Sequence, residues 1–183
     1  MKDTQNIIKT SRLSLIAATE PLILNLLGGK LRFETEYGIK VAYQFNEFPG
    51  SVEYALEYCR NNNGDVEWGA YLFVIDELKV LAGFGGYKGE PNTFGEVEIG
   101  YSVSPQFRNR GFATEAAKGL TNYAFLDSRV KKVIAHTLAE ENPSSNLLKK
   151  LGFVFTIAFE DSEDGQIWRW ERKRQDADAG KTS

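Results

Sequence analysis

Residues 97–125 read VEIGYSVSPQFRNRGFATEAAKGLTNYAF, in which an apolar strand is followed by a basic loop, RNRG, and then by a helix. The helix has a small or apolar residue at every fourth position from Phe112, as a buried helical face requires. A helix N-terminus leaves backbone N–H groups unpaired and carries partial positive charge, so anions bind there readily. This order of strand, basic glycine turn and helix predicts a site for a pyrophosphate-like anion.

The residues of the loop are the first candidates for binding. Gly111 has no Cβ to obstruct a phosphate, and Arg108 and Arg110 add whole charges that salt would screen. Two isolated arginines would more often be solvated loop charges, but their position directly before a helix favours the binding interpretation. We expect the anion to be held by the backbone and side chains of Arg108, Asn109, Arg110, Gly111, Phe112, Ala113 and Thr114.

The composition of the 183 residues predicts one domain with an ordinary core. The net charge of −3 argues against nucleic-acid or membrane partners. Cys59 is the single cysteine and His136 the single histidine, so no intrachain disulfide and no Cys/His metal site is expected. The sequence begins without the apolar core of a signal peptide and has no membrane span, so we expect a cytoplasmic protein.

Hydrophobic periodicity predicts an α/β fold with a mixed central sheet of about seven strands and about four helices, in the order β-α-α-β-β-β-α-β-α-β-β. The domain is expected to span residues 10–174, with residues 1–9 and 175–183 as flexible tails. Residues 30–49 follow neither period and are expected to be irregular.

The loop and helix resemble the acetyl-CoA-binding signature (Gln/Arg-x-x-Gly-x-Gly/Ala) of the GNAT superfamily of N-acetyltransferases, here Arg108-x-x-Gly111-x-Ala113. The segments TSRLSL (10–15) and EIGY (98–101) resemble its ribosomal-protein-acetyltransferase-like (RimJ/RimL-like) branch. The segment NPSSN (142–146), which leads to LGF (151–153), resembles the second cofactor segment of the superfamily. The resemblance covers about residues 10–172. It implies a single GNAT domain that uses acetyl-CoA as co-substrate and transfers the acetyl group directly to an amine in a ternary complex.

The resemblance also implies roles for single residues. The main chain of Val103 would hydrogen-bond the pantetheine arm of CoA, and Asn142 would bind the same arm, although Asn142 and Ser145 are also good helix caps. A carboxylate on the strand would act as general base, either through partial burial or through a water relay. We favour Glu98 slightly over Glu96.

The general acid and the acceptor stay open at this point. Many members of the family protonate the thiolate with a Tyr four residues before the Gly of LGF, but that residue is Leu148 here. The RimL-like branch suggests Ser145 instead, with water as the alternative. His136 lies in an apolar run, KVIAHTLA, where a lone His is more often a satisfied interior group than a base.

The acceptor is either a protein N-terminus or a small-molecule amine, and the protein a monomer or a homodimer. The rival interpretation is a non-catalytic acyl-CoA-binding or regulatory module.

Overall fold

The computed structural model describes residues 6–162 and 165–175, and a mixed sheet of nine strands forms its centre. In chain order the strands are β1 Ile7–Lys9, β2 Leu13–Ala17, β3 Lys40–Val41, β4 Ala70–Ile75, β5 Val80–Tyr87, β6 Glu96–Val103, β7 Lys132–Leu138, β8 Val154–Asp161 and β9 Gly165–Lys173. Their order in space is β1-β2-β4-β5-β6-β7-β9-β8, and β3 pairs with β5 outside this path. Neighbouring strands are antiparallel except β3–β5 and β6–β7, which are parallel.

Five α-helices accompany the sheet in the described part of the chain. They are α1 Glu20–Leu27, α2 Lys30–Tyr37, α3 Ser51–Asn61, α4 Phe112–Ala124 and α5 Pro143–Lys150, and a short 3-10 turn covers Pro105–Phe107. None of them is long and apolar enough to cross a membrane.

Helix α4 packs on the centre of the sheet through the face that its sequence period predicts. Ala116, Leu120 and Ala124 are fully buried, and the Tyr87 hydroxyl of β5 donates to the Leu120 carbonyl at 2.6 Å. Beneath this helix β5 and β6 lie close together, since a Cβ on Gly85 would lie 2.3 Å from the Gly100 carbonyl oxygen. A side chain at Gly85 would therefore collide with β6.

The predicted α/β class with a mixed sheet is confirmed, but the sheet has two more strands and the fold one more helix than expected. The additions are β1, β3 and α2. Only Phe33 is buried in α2, so this helix has no apolar period to detect, and the two strands are three and two residues long.

The predicted start of the domain at residue 10 is corrected by β1. Ile7 pairs with Ile16 and Lys9 with Ser14, so residues 7–9 belong to the sheet because they complete its edge against β2. Residues 1–5 and 176–183 of the expected tails lie outside the described residues.

Candidate active site

The sheet opens between its two central parallel strands. β6 and β7 pair only at Glu96↔Lys132, Val97↔Val133 and Glu98↔Ile134. Beyond these residues β6 continues beside β5, and β7 continues beside β9. The two strands therefore part after Glu98, and we call the space between residues 99–103 and 135–138 the fork.

The main chain of β6 offers hydrogen-bonding groups to the fork. The Glu98 carbonyl accepts from the Lys88 N–H at 3.0 Å, and the Ser104 N–H donates to the Ala82 carbonyl at 2.8 Å. The groups of Glu98 and Ser104 thus face the β5 side. Because successive residues of a strand direct their main-chain groups to opposite edges, those of Tyr101 and Val103 face the fork. The role expected for Val103 stays a prediction.

The loop after β6 forms a concave surface for an anion at the start of α4. Asn109 (φ 59°) and Gly111 (φ 81°) both adopt the left-handed conformation, which turns backbone N–H groups toward a common side. The first helical hydrogen bond joins the Glu115 N–H to the Gly111 carbonyl at 3.0 Å. The N–H groups of residues 112–114 therefore have no intrahelical partner, and they point out of the helix with its positive dipole end. This concave surface, which we call the cradle (residues 109–114), is suited to a phosphate-bearing anion.

Arg12, which the sequence analysis did not select, braces the cradle from the turn between β1 and β2. Its Nε lies 2.7 Å from a Glu115 carboxylate oxygen, its Nη1 donates to the Arg110 carbonyl at 3.0 Å, and its guanidinium lies 4.4 Å from the centre of the Phe112 ring. Burial raises the pKa of Glu115, but hydrogen bonds from Thr10 and Arg12 outweigh it, and the pKa lies below its usual value. Only the TSRLSL segment pointed to this region.

The two arginines of the loop have different surroundings. Arg108 turns back to the end of β6, where it forms an ion pair with Glu47 and donates from Nε to the Val103 carbonyl at 3.2 Å. Arg110 lies exposed beside the cradle, with its guanidinium 5.7 Å from the centre of the Phe107 ring. Of the two predicted charges, that of Arg108 is paired with Glu47, and that of Arg110 lies on the exposed surface of the loop.

Glu98 lies where the fork begins, on the face of the sheet opposite α4. Its carboxylate oxygen Oε1 is 2.5 Å from Lys88 Nζ and 3.0 Å from His136 Nδ1. Burial is the largest influence on the pKa of Glu98 and raises it, but the hydrogen bonds and charges of His136 and Lys88 together hold the pKa below its usual value. Glu98 is therefore ionised at neutral pH.

Glu96 is held in a separate group of ion pairs. It lies 2.7 Å from Lys132 and 3.1 Å from Arg169, and both cations also pair with Glu171. The hydrogen bond from Lys132 is the main reason that the pKa of Glu96 falls to about 2. The geometry therefore supports Glu98 over Glu96 as the carboxylate at the fork.

Ser145 and Asn142 form a capping box at the start of α5. The Ser145 hydroxyl accepts from the Asn142 N–H and donates to the Asn142 carbonyl, both at 2.9 Å, and its own N–H donates to Asn142 Oδ1 at 2.9 Å. Ser145 is fully buried. Its proton is already used within the cap, which argues against Ser145 as the proton donor. Only the NH₂ group of the Asn142 amide is left for a cofactor.

Tyr101 and Ser144 place two other hydroxyls at the fork, on the α5 side of the sheet. Tyr101 Oη and Ser144 Oγ lie 3.0 Å apart. Burial raises the pKa of Tyr101 to about 12, although the hydrogen bond with Ser144 lowers it, so the phenol keeps its proton. The sequence had indicated Tyr101 only as part of the EIGY segment (98–101).

His136 differs from the satisfied interior group that the sequence predicts. Its Nδ1 pairs with Glu98, and its ring lies edge-on to Phe159, with ring centres 5.5 Å apart. Its Nε2 is buried and has no hydrogen-bond partner among the residues that the structure describes. The sequence does not indicate the pairing with Glu98, because it depends on two strands that are distant in sequence.

A mixed sheet that opens beside an anion cradle is the architecture of an acyltransferase that binds coenzyme A. Residues 35–154 match the family model described as Acetyltransferase (GNAT) domain, and the chain belongs to this family. The family assignment made from the sequence is confirmed. The protein is therefore an acetyltransferase, of a family that uses acetyl-CoA as acyl donor.

Similar proteins agree with this assignment. The uncharacterized N-acetyltransferase YjdG of Bacillus subtilis (strain 168) is 27% identical over 154 residues, covering 81% of this chain and 89% of that protein. The structure of RimL, a ribosomal alpha-N-protein acetyltransferase in complex with coenzyme A, superposes with a TM-score of 0.69 at 17% identity, covering 95% of this chain and 99% of that one. An acetyl transferase from Salmonella typhimurium that modifies the N-terminal serine of a 50S ribosomal subunit protein gives a TM-score of 0.66 at 15% identity, over 93% of this chain and all (100%) of that one.

Proposed function

We propose that the protein transfers the acetyl group of acetyl-CoA directly to a primary amine bound at the fork. The observation that carries this proposal is the division of polar groups between the two faces of the sheet at the fork. A carboxylate and an imidazole lie on one face, and two hydroxyls lie on the α5 face. In the reaction the amine loses a proton and the thiolate gains one. Groups that can accept a proton and groups that can donate one therefore lie on different faces of the sheet, where each can act on its own partner. Cys59 is only 2% exposed, on α3, which disfavours an acetyl-cysteine route.

The cradle and the fork would hold the donor. The N–H groups of residues 112–114 and the charge of Arg110, which are part of the predicted set from Arg108 to Thr114, would bind the diphosphate. The main chain of Val103 and the amide of Asn142 would bind the pantetheine arm. Acetyl-CoA supplies an acyl group that a thioester has already activated. No metal ion is part of the proposal.

The residues around the fork would then carry the proton transfers. The amine nitrogen forms a bond to the acyl carbon while the carbon–sulfur bond breaks. The Tyr101 hydroxyl, backed by Ser144, gives its proton to the departing thiolate in place of Ser145. Main-chain N–H groups of β6 that face the fork stabilise the charge on the acyl oxygen, a contribution that is usually large. The proton of the amine passes to the face that carries Glu98.

The acceptor we propose is the α-amine of a protein N-terminus, with a small-molecule amine as the alternative. The RimJ/RimL-like segments and the ribosomal acetyltransferases among the structural neighbours support the first class. Exposed aromatic side chains of Tyr43 and Phe48, in the segment that contacts the end of β6 through Glu47 and Ser102, offer apolar surface for a peptide. A cytoplasmic location stays a prediction from the sequence.

The first experiment separates binding from turnover. Thermal unfolding is followed with acetyl-CoA, desulfo-CoA and ATP. A ligand at 100 times its Kd should raise the free energy of unfolding by about 2.7 kcal/mol, which raises the Tm by roughly 5 °C or more. Thiol release is then measured with peptides that begin with Ser or Ala, with spermidine and with free amino acids. Shifts with both CoA compounds and thiol release that requires an amine support the proposal. Shifts without release from any amine indicate a non-catalytic CoA-binding module, and no shift refutes the CoA site itself.

A further inference from the structure

We propose that Nε2 of His136 takes the proton from the acceptor amine, and that Glu98 is the positioning residue that holds the imidazole in the required form. This inference rests on the proposed amine acetylation, and it moves the role of general base from the carboxylate to its neighbour.

The position of the pair is the first argument. Glu98 is the last residue of β6 that pairs with β7, and its partner there is Ile134. His136 follows Ile134 by two residues, so its side chain projects from the same face of the sheet as that of Ile134 and therefore as that of Glu98. The imidazole therefore lies at the point where the strands part, on the face away from the hydroxyls of Tyr101 and Ser144.

The hydrogen bond between the pair fixes the tautomer. An ionised carboxylate can only accept, so in the neutral imidazole the proton lies on Nδ1 and is donated to Glu98 at 3.0 Å. Nε2 is then left with a lone pair. The same carboxylate balances the positive charge that the ring acquires when Nε2 takes a proton.

The surroundings of Nε2 are the second argument. A buried polar atom without a partner costs about 1–3 kcal/mol, so such atoms in a native protein require an explanation. An N–H of a bound amine would supply the missing donor. The groups around the ring from other elements are Glu98 on β6, Lys88 after β5, Arg169 on β9 and the Phe159 ring on β8. Lys88 is paired with Glu98, and Arg169 with Glu96 and Glu171, so both cations already have anionic partners.

The chemistry favours the imidazole as well. A free imidazole has a pKa of about 6.5 and a free carboxylate of about 4.3, so an imidazole is the better match for an amine at neutral pH. In the step, an amine N–H bond breaks as the nitrogen–carbon bond forms. The proton goes to Nε2 and then to solvent before the next turnover.

One test reads the ring directly and needs no acceptor. Because His136 is the only histidine, the ring nitrogens of tag-free ¹⁵N-labelled protein give a single pair of signals. The expected neutral form carries its proton on Nδ1, with Nε2 unprotonated, and Glu98→Ala, which removes the acceptor, should abolish this preference. A proton on Nε2 of the wild-type protein at neutral pH would overturn the proposal, whatever the activity.

A matched pair of variants supplies the kinetic test. The side-chain NH₂ of His136→Asn can replace Nδ1–H toward Glu98 but leaves no base, whereas the side-chain NH₂ of His136→Gln reaches the place of the histidine Nε2. Both should lose at least 100-fold in kcat and keep the thermal shift with acetyl-CoA, and added imidazole should restore part of the rate of His136→Ala. If the wild-type protein acetylates an acceptor and His136→Asn retains kcat within threefold, His136 only positions Glu98 and the inference fails while the proposed function stands. If the wild-type protein binds CoA and acetylates none of the acceptors, the proposed function fails instead.

Discussion

Replacing Tyr101 with Phe removes one hydroxyl from the α5 side of the fork and leaves a ring of the same shape. The hydroxyl lies 3.0 Å from Ser144 Oγ, and its loss should lower the free energy of unfolding by about 0.5–1.5 kcal/mol, the usual worth of one hydrogen bond. In a domain of this size that is a decrease in Tm of about 1–6 °C. The fold should therefore survive the change.

The effect on turnover should be larger than the effect on stability. General acids contribute about 10²–10⁴ in rate, and because a thiolate is a tolerable leaving group we expect the lower end for Tyr101→Phe, about 100-fold in kcat or 2.7 kcal/mol. The Kd for acetyl-CoA should stay within about threefold. Because the pKa of Tyr101 is about 12, the wild-type rate should show no loss from ionisation of this phenol at any working pH.

Ser145→Ala is the matched control, since it removes the hydroxyl that the family resemblance suggested. It should lower the free energy of unfolding by about 0.5–1.5 kcal/mol through loss of the hydrogen bonds of the Ser145 hydroxyl to Asn142, and leave kcat within about threefold. The assay is the initial rate of thiol release at saturating acetyl-CoA, with circular dichroism as the check on folding. The assignment of Tyr101 as general acid would be refuted if the folded Tyr101→Phe variant kept the wild-type kcat while the folded Ser145→Ala variant lost activity. Ser145 would then be the general acid.

Three further predictions concern the cradle and the ion pairs. Arg12→Ala removes the contacts of Arg12 with Glu115, Arg110 and Phe112, and should weaken acetyl-CoA binding about tenfold, a loss of about 1.4 kcal/mol measured by calorimetry. Unchanged affinity would show that these contacts do not contribute to the conformation of the cradle. Glu47→Gln releases Arg108 from an exposed ion pair worth about 0.2–1 kcal/mol. If Glu47 and the anion compete for Arg108, acetyl-CoA should bind up to about fivefold more tightly at low salt, and weaker binding would exclude such competition. Glu96, whose pKa is lowered to about 2 chiefly by the hydrogen bond from Lys132, adds stability that is present above its ordinary pKa of 4.5 and is lost as the pH falls toward 2. Glu96→Gln should therefore flatten the fall of Tm between about pH 5 and pH 2, and a curve parallel to that of the wild-type protein would count against the pairing.

The strand–loop–helix stretch could be predicted from the sequence because its signals are local. The apolar spacing of α4, the glycine at its start and the capping residues of α5 each depend on neighbours within four or five residues. The same holds for the α/β class. Strands β1 and β3 are too short to show a sequence period, and they form because they pair with neighbouring strands. Helix α2 buries a single side chain, so it has no apolar period either.

The parts of the site that the sequence could not supply are contacts between distant residues. His136 and Glu98 are 38 residues apart, Tyr101 and Ser144 are 43 apart, and Arg12 reaches Glu115 across 103 residues. For Ser145, the family pattern and the capping pattern select the same residue, and only the geometry shows that the cap uses its proton.

The fork also divides the molecule mechanically. Direct pairing of β6 with β7 joins the two parts of the sheet over three residue pairs, far fewer than the seven that join β7 to β9. The pantetheine arm of acetyl-CoA contains amide groups and ends in the thioester. Lying in this gap, it would take the place of a missing strand, because it would form hydrogen bonds with the sheet along its length. Donor binding should therefore slow amide hydrogen exchange on both sides of the gap together, and so turn two weakly joined units into one cooperative unit.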